Sequence, residues 1–124
     1  MPGEKMRPQD FYTKTRASAG IRIELIDPAG NKEWVRVRSV ISDEHRRARE
    51  ELVRQAVADG RVVANDPSQR KALARRRRAV LAASLVAEWS IQSEPAGLFI
   101  KNPRLRRQIE LIAENHALHF GVEA

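Results

Sequence analysis

Apolar and charged residues begin to alternate at Ile21. Ile21, Ile23 and Leu25 are separated by Arg22 and Glu24, and further on Val35 and Val37 are separated by Arg36 and followed by Arg38. A period of two puts every second side chain on one face, as in a half-buried strand. Between the two runs lies Asp27-Pro28-Ala29-Gly30-Asn31, where proline presets one turn angle and Gly or Asn tolerates positive φ. Residues 21–41 are therefore expected to form a β-hairpin with a five-residue loop and one apolar face. An isolated hairpin is marginal in water, so this one needs something to pack on. Residues 1–20 follow neither strand nor helix period and are expected to be a flexible basic arm.

After the hairpin the period changes to that of a helix. Ser42 is placed to cap a helix over about 42–59, with Asp43 and Glu44 in a first turn that favours negative charge. Ala48, Leu52, Ala56 and Val57 give it an apolar stripe, and Gly60 is a natural stop. A connection ending in Asn65-Asp66-Pro67 leads to a second helix over about 67–89, with a stripe of Leu73, Val80, Leu81, Ser84, Leu85 and Trp89. Residues 90–101 contain Pro95 and Gly97 and read as a loop that carries Leu98, Phe99 and Ile100. Asn102-Pro103 then pairs a capping side chain with proline at the first helical position, opening a third helix over about 103–120. Its apolar face holds Leu105, Ile109, Ile112 and Phe120, with His116 beside them, and Gly121 ends it. The expected fold is α+β: an N-terminal β-hairpin followed by a three-helix, mainly α-helical unit, all in a single domain over 21–124.

Composition narrows the chemistry. The chain has 124 residues, one domain's length, with 42% hydrophobic residues but only 5% aromatics. Any core must rest on aliphatic side chains. There is no cysteine, which removes disulfides, thiolate nucleophiles and cysteine-based zinc sites. Lys and Arg number 23 against 16 Asp and Glu, a net charge of +7. The surplus is uneven, since residues 65–78 alone hold six cations and one acid and include Arg75, Arg76, Arg77 and Arg78. Four consecutive residues cover a full helical turn, so at least one arginine must lie over the apolar stripe, its stem on carbon and its head in water. Three readings remain open for the run: a phosphate-binding patch for nucleic acid, a solvated face, or a surface for an acidic partner. No aromatic residue interleaves it, so single-strand stacking is not expected.

Enzyme chemistry finds no foothold. The chain lacks a glycine-rich phosphate loop and a nucleophile elbow. Ser42, Asp43 and His45 cannot align as nucleophile, orienter and base within one helical turn. His116 and His119 share a helix face without a third ligand at motif spacing, so no metal and no cofactor is expected. The longest nearly apolar run, residues 79–87, is about half of what a membrane helix needs, and no targeting segment is visible. A soluble protein without a membrane partner is expected, and nucleic acid is not its expected partner. Trp89, Ile91 and Phe99, with Leu98 and Ile100, add more apolar surface than one loop requires, which suggests a partner groove.

Three blocks, in order, resemble the tail assembly chaperones of tailed bacteriophages. They are Lys14-Thr15-Arg16-Ala17 with Gly20-Ile21, running through the hairpin to Trp34-Val35-Arg36-Val37-Arg38-Ser39-Val40; Leu81-Ala82-Ala83-Ser84-Leu85-Val86-Ala87-Glu88-Trp89-Ser90; and Asn102-Pro103-Arg104-Leu105 with Ile109, Ala113 and Phe120. The resemblance implies a non-enzymatic protein of the host bacterial cytoplasm that is absent from the mature virion. Its implied partner is the tape measure protein, which it keeps soluble while the tail tube assembles; the tail tube protein and weak self-association are further implied contacts. The partner surface expected on this basis comprises Trp89, Ile91, Phe99, Leu105, Ile109, Ile112 and Phe120, with Arg75–Arg78 as an electrostatic supplement. Competing readings are a nucleic-acid-binding or regulatory protein that uses the arginine helix, and a minor tail or connector subunit.

Overall fold

The alternating residues pair as expected. Strand β1 (Ile21–Ile26) runs antiparallel to β2 (Lys32–Val37), with Ile21 opposite Val37, Ile23 opposite Val35 and Leu25 opposite Glu33. The computed structural model describes residues 8–26, 29–63 and 66–121. The turn residues Asp27 and Pro28, and Asn65 in the later connection, lie outside the described residues. The remaining elements are α1 (Pro8–Ala19), α2 (Asp43–Val63), α3 (Pro67–Ala83), β3 (Val86–Trp89), α4 (Pro95–Lys101), α5 (Pro103–Glu114) and α6 (His116–Phe120). The fold is α+β, but with six helices among the described residues rather than three, and with a three-stranded antiparallel sheet in the order β1-β2-β3.

Several expectations need correction. Residues 8–19, read as part of a flexible arm, form α1; Ala17 is buried and its carbonyl accepts from the Ser39 amide at 3.0 Å. The first long helix does not stop at Gly60 but runs through Val63. The second stops early, because the Ser84 hydroxyl donates to the Leu81 carbonyl at 2.6 Å and the Leu85 amide turns back to the Ala82 carbonyl. A side chain bonding back to its own turn competes with the helical ladder. Residues 86–89 then extend as β3 against β2, so Trp89 lies opposite Val35 instead of closing a helix.

The loop expected over 90–101 contains α4. Pro95 takes the first helical position and the Glu94 carboxylate caps the Ala96 and Gly97 amides at 3.2 and 2.9 Å. The helix expected over 103–120 is broken at Asn115, whose extended backbone and side chain start α6 by accepting from the Leu118 amide. That break turns His119 inward and leaves His116 exposed, reversing the expected face. The anticipated caps are present: Ser42 Oγ accepts from the His45 amide, Asp66 caps α3, and Asn102 Oδ1 accepts from the Leu105 amide at 3.1 Å.

One core joins sheet and helices. Val35 and Val37 of β2 meet Ala79 and Ala82 of α3, Leu85, Val86 of β3, Phe99 of α4, and Ile109 and Ala113 of α5. The small residues Ala79 and Ala82 let α4 approach α3 closely, which leaves Val80, expected inside, partly exposed. On α2, Ala48, Leu52 and Ala56 are half-buried, whereas Val57 faces solvent.

Candidate functional site: an apolar groove at the sheet edge

The groove begins at the end of β1, a strand with only β2 beside it among the described residues. Leu25 and Ile26 form one wall. The other is built by Ile91, which follows β3, by Leu98 of α4, and by Leu105 in the first turns of α5. Glu24, Glu33, Asn102, Arg104 and Gln108 supply the polar positions, and the groove's volume is about 750 Å³. Ile26 is 75% exposed, a large apolar side chain in water at the rim.

Local bonding holds these pieces in place. The Ser90 amide donates to the Trp34 carbonyl at 3.0 Å, and the Ser90 hydroxyl accepts from the Trp34 amide at 2.8 Å and donates to Glu33. Ser90 thus fastens the segment bearing Ile91 to the middle strand. The Trp89 indole N–H donates to the Ser93 carbonyl at 3.1 Å, and its ring meets Phe99 edge-on with centroids 5.6 Å apart. That is the favoured geometry for two aromatic quadrupoles. The Asn102 amide donates to the Leu98 carbonyl while its side chain caps α5, so one residue joins Leu98 to Leu105.

Of the residues expected to form a partner surface, the groove unites Ile91 and Leu105. Trp89 and Ile112 are half-buried against the core. Phe99 and Ile109 are core residues, at 1% and 0% exposure, and have no surface to offer. They are excluded from direct contact because α4 packs Phe99 onto the sheet and α5 turns Ile109 inward. Phe120 lies on α6, stacked with His116 and tilted against His119, away from the groove lining. Arg75, Arg76 and Arg78 are exposed, whereas Arg77 is half-buried, as a full turn of arginine requires.

Leu25 and Ile26 were not expected at the site, because the hairpin's apolar face is accounted for by the core. Ile26 did carry a signal: it breaks the alternation and puts an isoleucine on the polar face. Chemically the groove offers an apolar floor with a mixed polar rim, suited to apolar side chains of a partner. Among the described residues there is no cluster of three potential metal ligands. The two histidines with lowered pKa are structural: burial of each imidazole disfavours its charged form. No family model, curated protein or solved structure matches the chain.

Proposed function

We propose that the protein is a non-enzymatic phage tail assembly chaperone. In this reading it binds the tape measure protein in the host bacterial cytoplasm, keeps it soluble and promotes assembly of the tail tube around it. The sequence blocks around Trp34, Trp89 and Asn102-Pro103 suggest the family, and the groove supplies the observation that carries the reading. An open apolar trough lined by Leu25, Ile26, Ile91, Leu98 and Leu105 suits the apolar face of an amphipathic helix. A long helical partner presents that face repeatedly, so many copies would be needed to cover it. Leu25, Ile26 and Leu98 take the place of Phe99 and Ile109 in the proposed contact set, beside Ile91 and Leu105.

Co-expression with the tape measure protein of the same genome tests this, using affinity capture at low salt and at about 0.5 M salt. Salt at that level shortens the screening length to a few ångströms, so capture that survives rests on apolar contact. The expected result is soluble partner retained at both salts, and lost when Ile26→Asp and Ile91→Asp are introduced together without change in the far-UV spectrum. A tape measure protein that stays insoluble, or capture indifferent to both substitutions, overturns the reading.

A further inference from the structure

Helix α3 carries a run of exposed cations, several of which have no ion-pair partner among the described residues. We propose that its exposed basic face binds the phosphate backbone of duplex nucleic acid without reading base sequence. This inference is independent of the chaperone reading, since it uses a different element and a different partner.

Lys71, Arg75 and Arg78 follow one another at spacings of four and three, which places them on one stripe of the helix, while Arg76 projects about 100° round the helix from Arg75. All four are exposed. None forms an ion pair among the described residues. Several cations outside α3 are matched locally: Arg54 holds Glu51 at 2.7 Å, and Arg106 and Arg107 hold Glu110 at 2.8 and 3.3 Å. The one acid within residues 65–78, Asp66, is occupied in capping the Ser68 and Gln69 amides. Like charges one turn apart repel, so this face gains from an external polyanion.

The chemistry of the face selects among polyanions. Its remaining neighbours include Ser68 and Ala72, too small to block close approach and offering no apolar anchor. Protein interfaces draw their energy from buried aromatic and apolar anchors, which are missing here. Single strands require stacking rings, also missing. Duplex phosphates require only cations at high density. From Lys71 to Arg78 is about 10 Å along the helix, a length over which a duplex carries roughly six charges.

Fluorescence anisotropy with an end-labelled, random-sequence 20-base-pair DNA, read between about 50 and 200 mM NaCl, tests the proposal. Three or four phosphate contacts predict a log–log salt slope of about −3. The Lys71→Gln/Arg75→Gln/Arg78→Gln variant should bind at least ~10-fold more weakly at 50 mM, and Arg75→Gln or Arg78→Gln alone should each reduce the slope by about one. A triple variant elsewhere with the same loss of charge, Lys32→Gln/Arg47→Gln/Arg54→Gln, should change binding less than ~3-fold. The proposal is overturned by absence of binding at about 100 μM wild type, by equal losses in the two triple variants, or by poly-glutamate of matched charge competing as well as the duplex. The last outcome would assign the face to an acidic protein.

Discussion

The guanidinium of Arg38 reaches three backbone carbonyls: Ser18 at 3.2 Å, Ser84 at 3.0 Å and Val86 at 3.3 Å. It also lies 3.4 Å from the Glu44 carboxylate, so one side chain ties the end of α1, the start of α2 and the α3–β3 corner to the sheet. Planar geometry with several fixed donors is what allows this, and lysine cannot copy it. Replacing Arg38 by Met is expected to cost about 3 kcal/mol, since it strands half-buried carbonyls and a carboxylate, and Arg38→Lys should recover less than half. Chemical denaturation of the three proteins checks both statements. Gly20 is a second fixed point. It has φ of 76°, and a Cβ there would collide with the Val37 carbonyl and the Arg38 amide nitrogen, both backbone atoms with nowhere to go. Gly20→Ala should therefore lose at least about 2 kcal/mol, more than the conformational penalty alone. A melting temperature within a degree of wild type would show that the α1–β1 junction yields instead.

At the scale of elements, the ends of helices decide what the pattern alone cannot. Asp66 Oδ1 accepts from two amides at the start of α3, at 2.9 and 3.2 Å, in a stretch whose side chains are all exposed. Asp66→Ala should cost about 1 kcal/mol. Hydrogen exchange at the Ser68 and Gln69 amides should quicken while the core amides of α5 stay slow; equal acceleration in both would contradict a local role. The hairpin was legible because its period of two has no competing interpretation, and α5 because Asn102-Pro103 and a clean apolar stripe agree. Residues 84–89 were not, since Leu85-Val86-Ala87 extends a helical stripe as well as it makes a strand. Ser84 settles the matter through hydrogen bonds that composition does not reveal. Helix α4 was hidden because glutamate is an uncommon cap and Gly97 reads as loop. Helix α1 has no period to detect; Ala17 and Ser18 are held by Ser39 and Glu44, contacts 22 and 26 residues away. The groove was half visible: Ile91 and Leu105 stood out as apolar residues near a loop, while Leu25 entered only through the way the sheet edge meets α4 and α5.

For the molecule as a whole, two buried imidazoles make stability depend on pH well above the carboxylate range. His45, on α2, has Nδ1 2.8 Å from Ser84 Oγ, whose own proton is directed at the Leu81 carbonyl. Burial lowers its pKa and the Arg49 charge lowers it further, against smaller opposing effects of the Leu81 backbone and Glu110. His119, on α6, is also lowered chiefly by burial; the Ile112 carbonyl raises it and His116 lowers it, and its Nδ1 is buried without a partner among the described residues. Both rings thus have folded pKa values below the ordinary 6.5, and the unfolded chain takes up protons first. The stability contributed by neutral imidazole is complete above about pH 6.5 and drains as pH falls from there toward the folded values. Glu44 adds a separate, more acidic step. Burial pushes its carboxyl up, but the Ser18 hydroxyl, its own backbone amide and Arg38 outweigh that and leave its pKa below 4.5. Its contribution is complete above that value and lost below it. Urea midpoints measured from about pH 7.5 down to 5 should fall steadily, with the first loss near 6.5. In a His45→Gln/His119→Leu double variant the midpoint should be level over that range and still fall below 4.5. A wild-type midpoint that stays level to pH 5 would mean that both rings regain solvent at little cost, so that the α2–α3 contact and the α5–α6 corner open independently of the sheet.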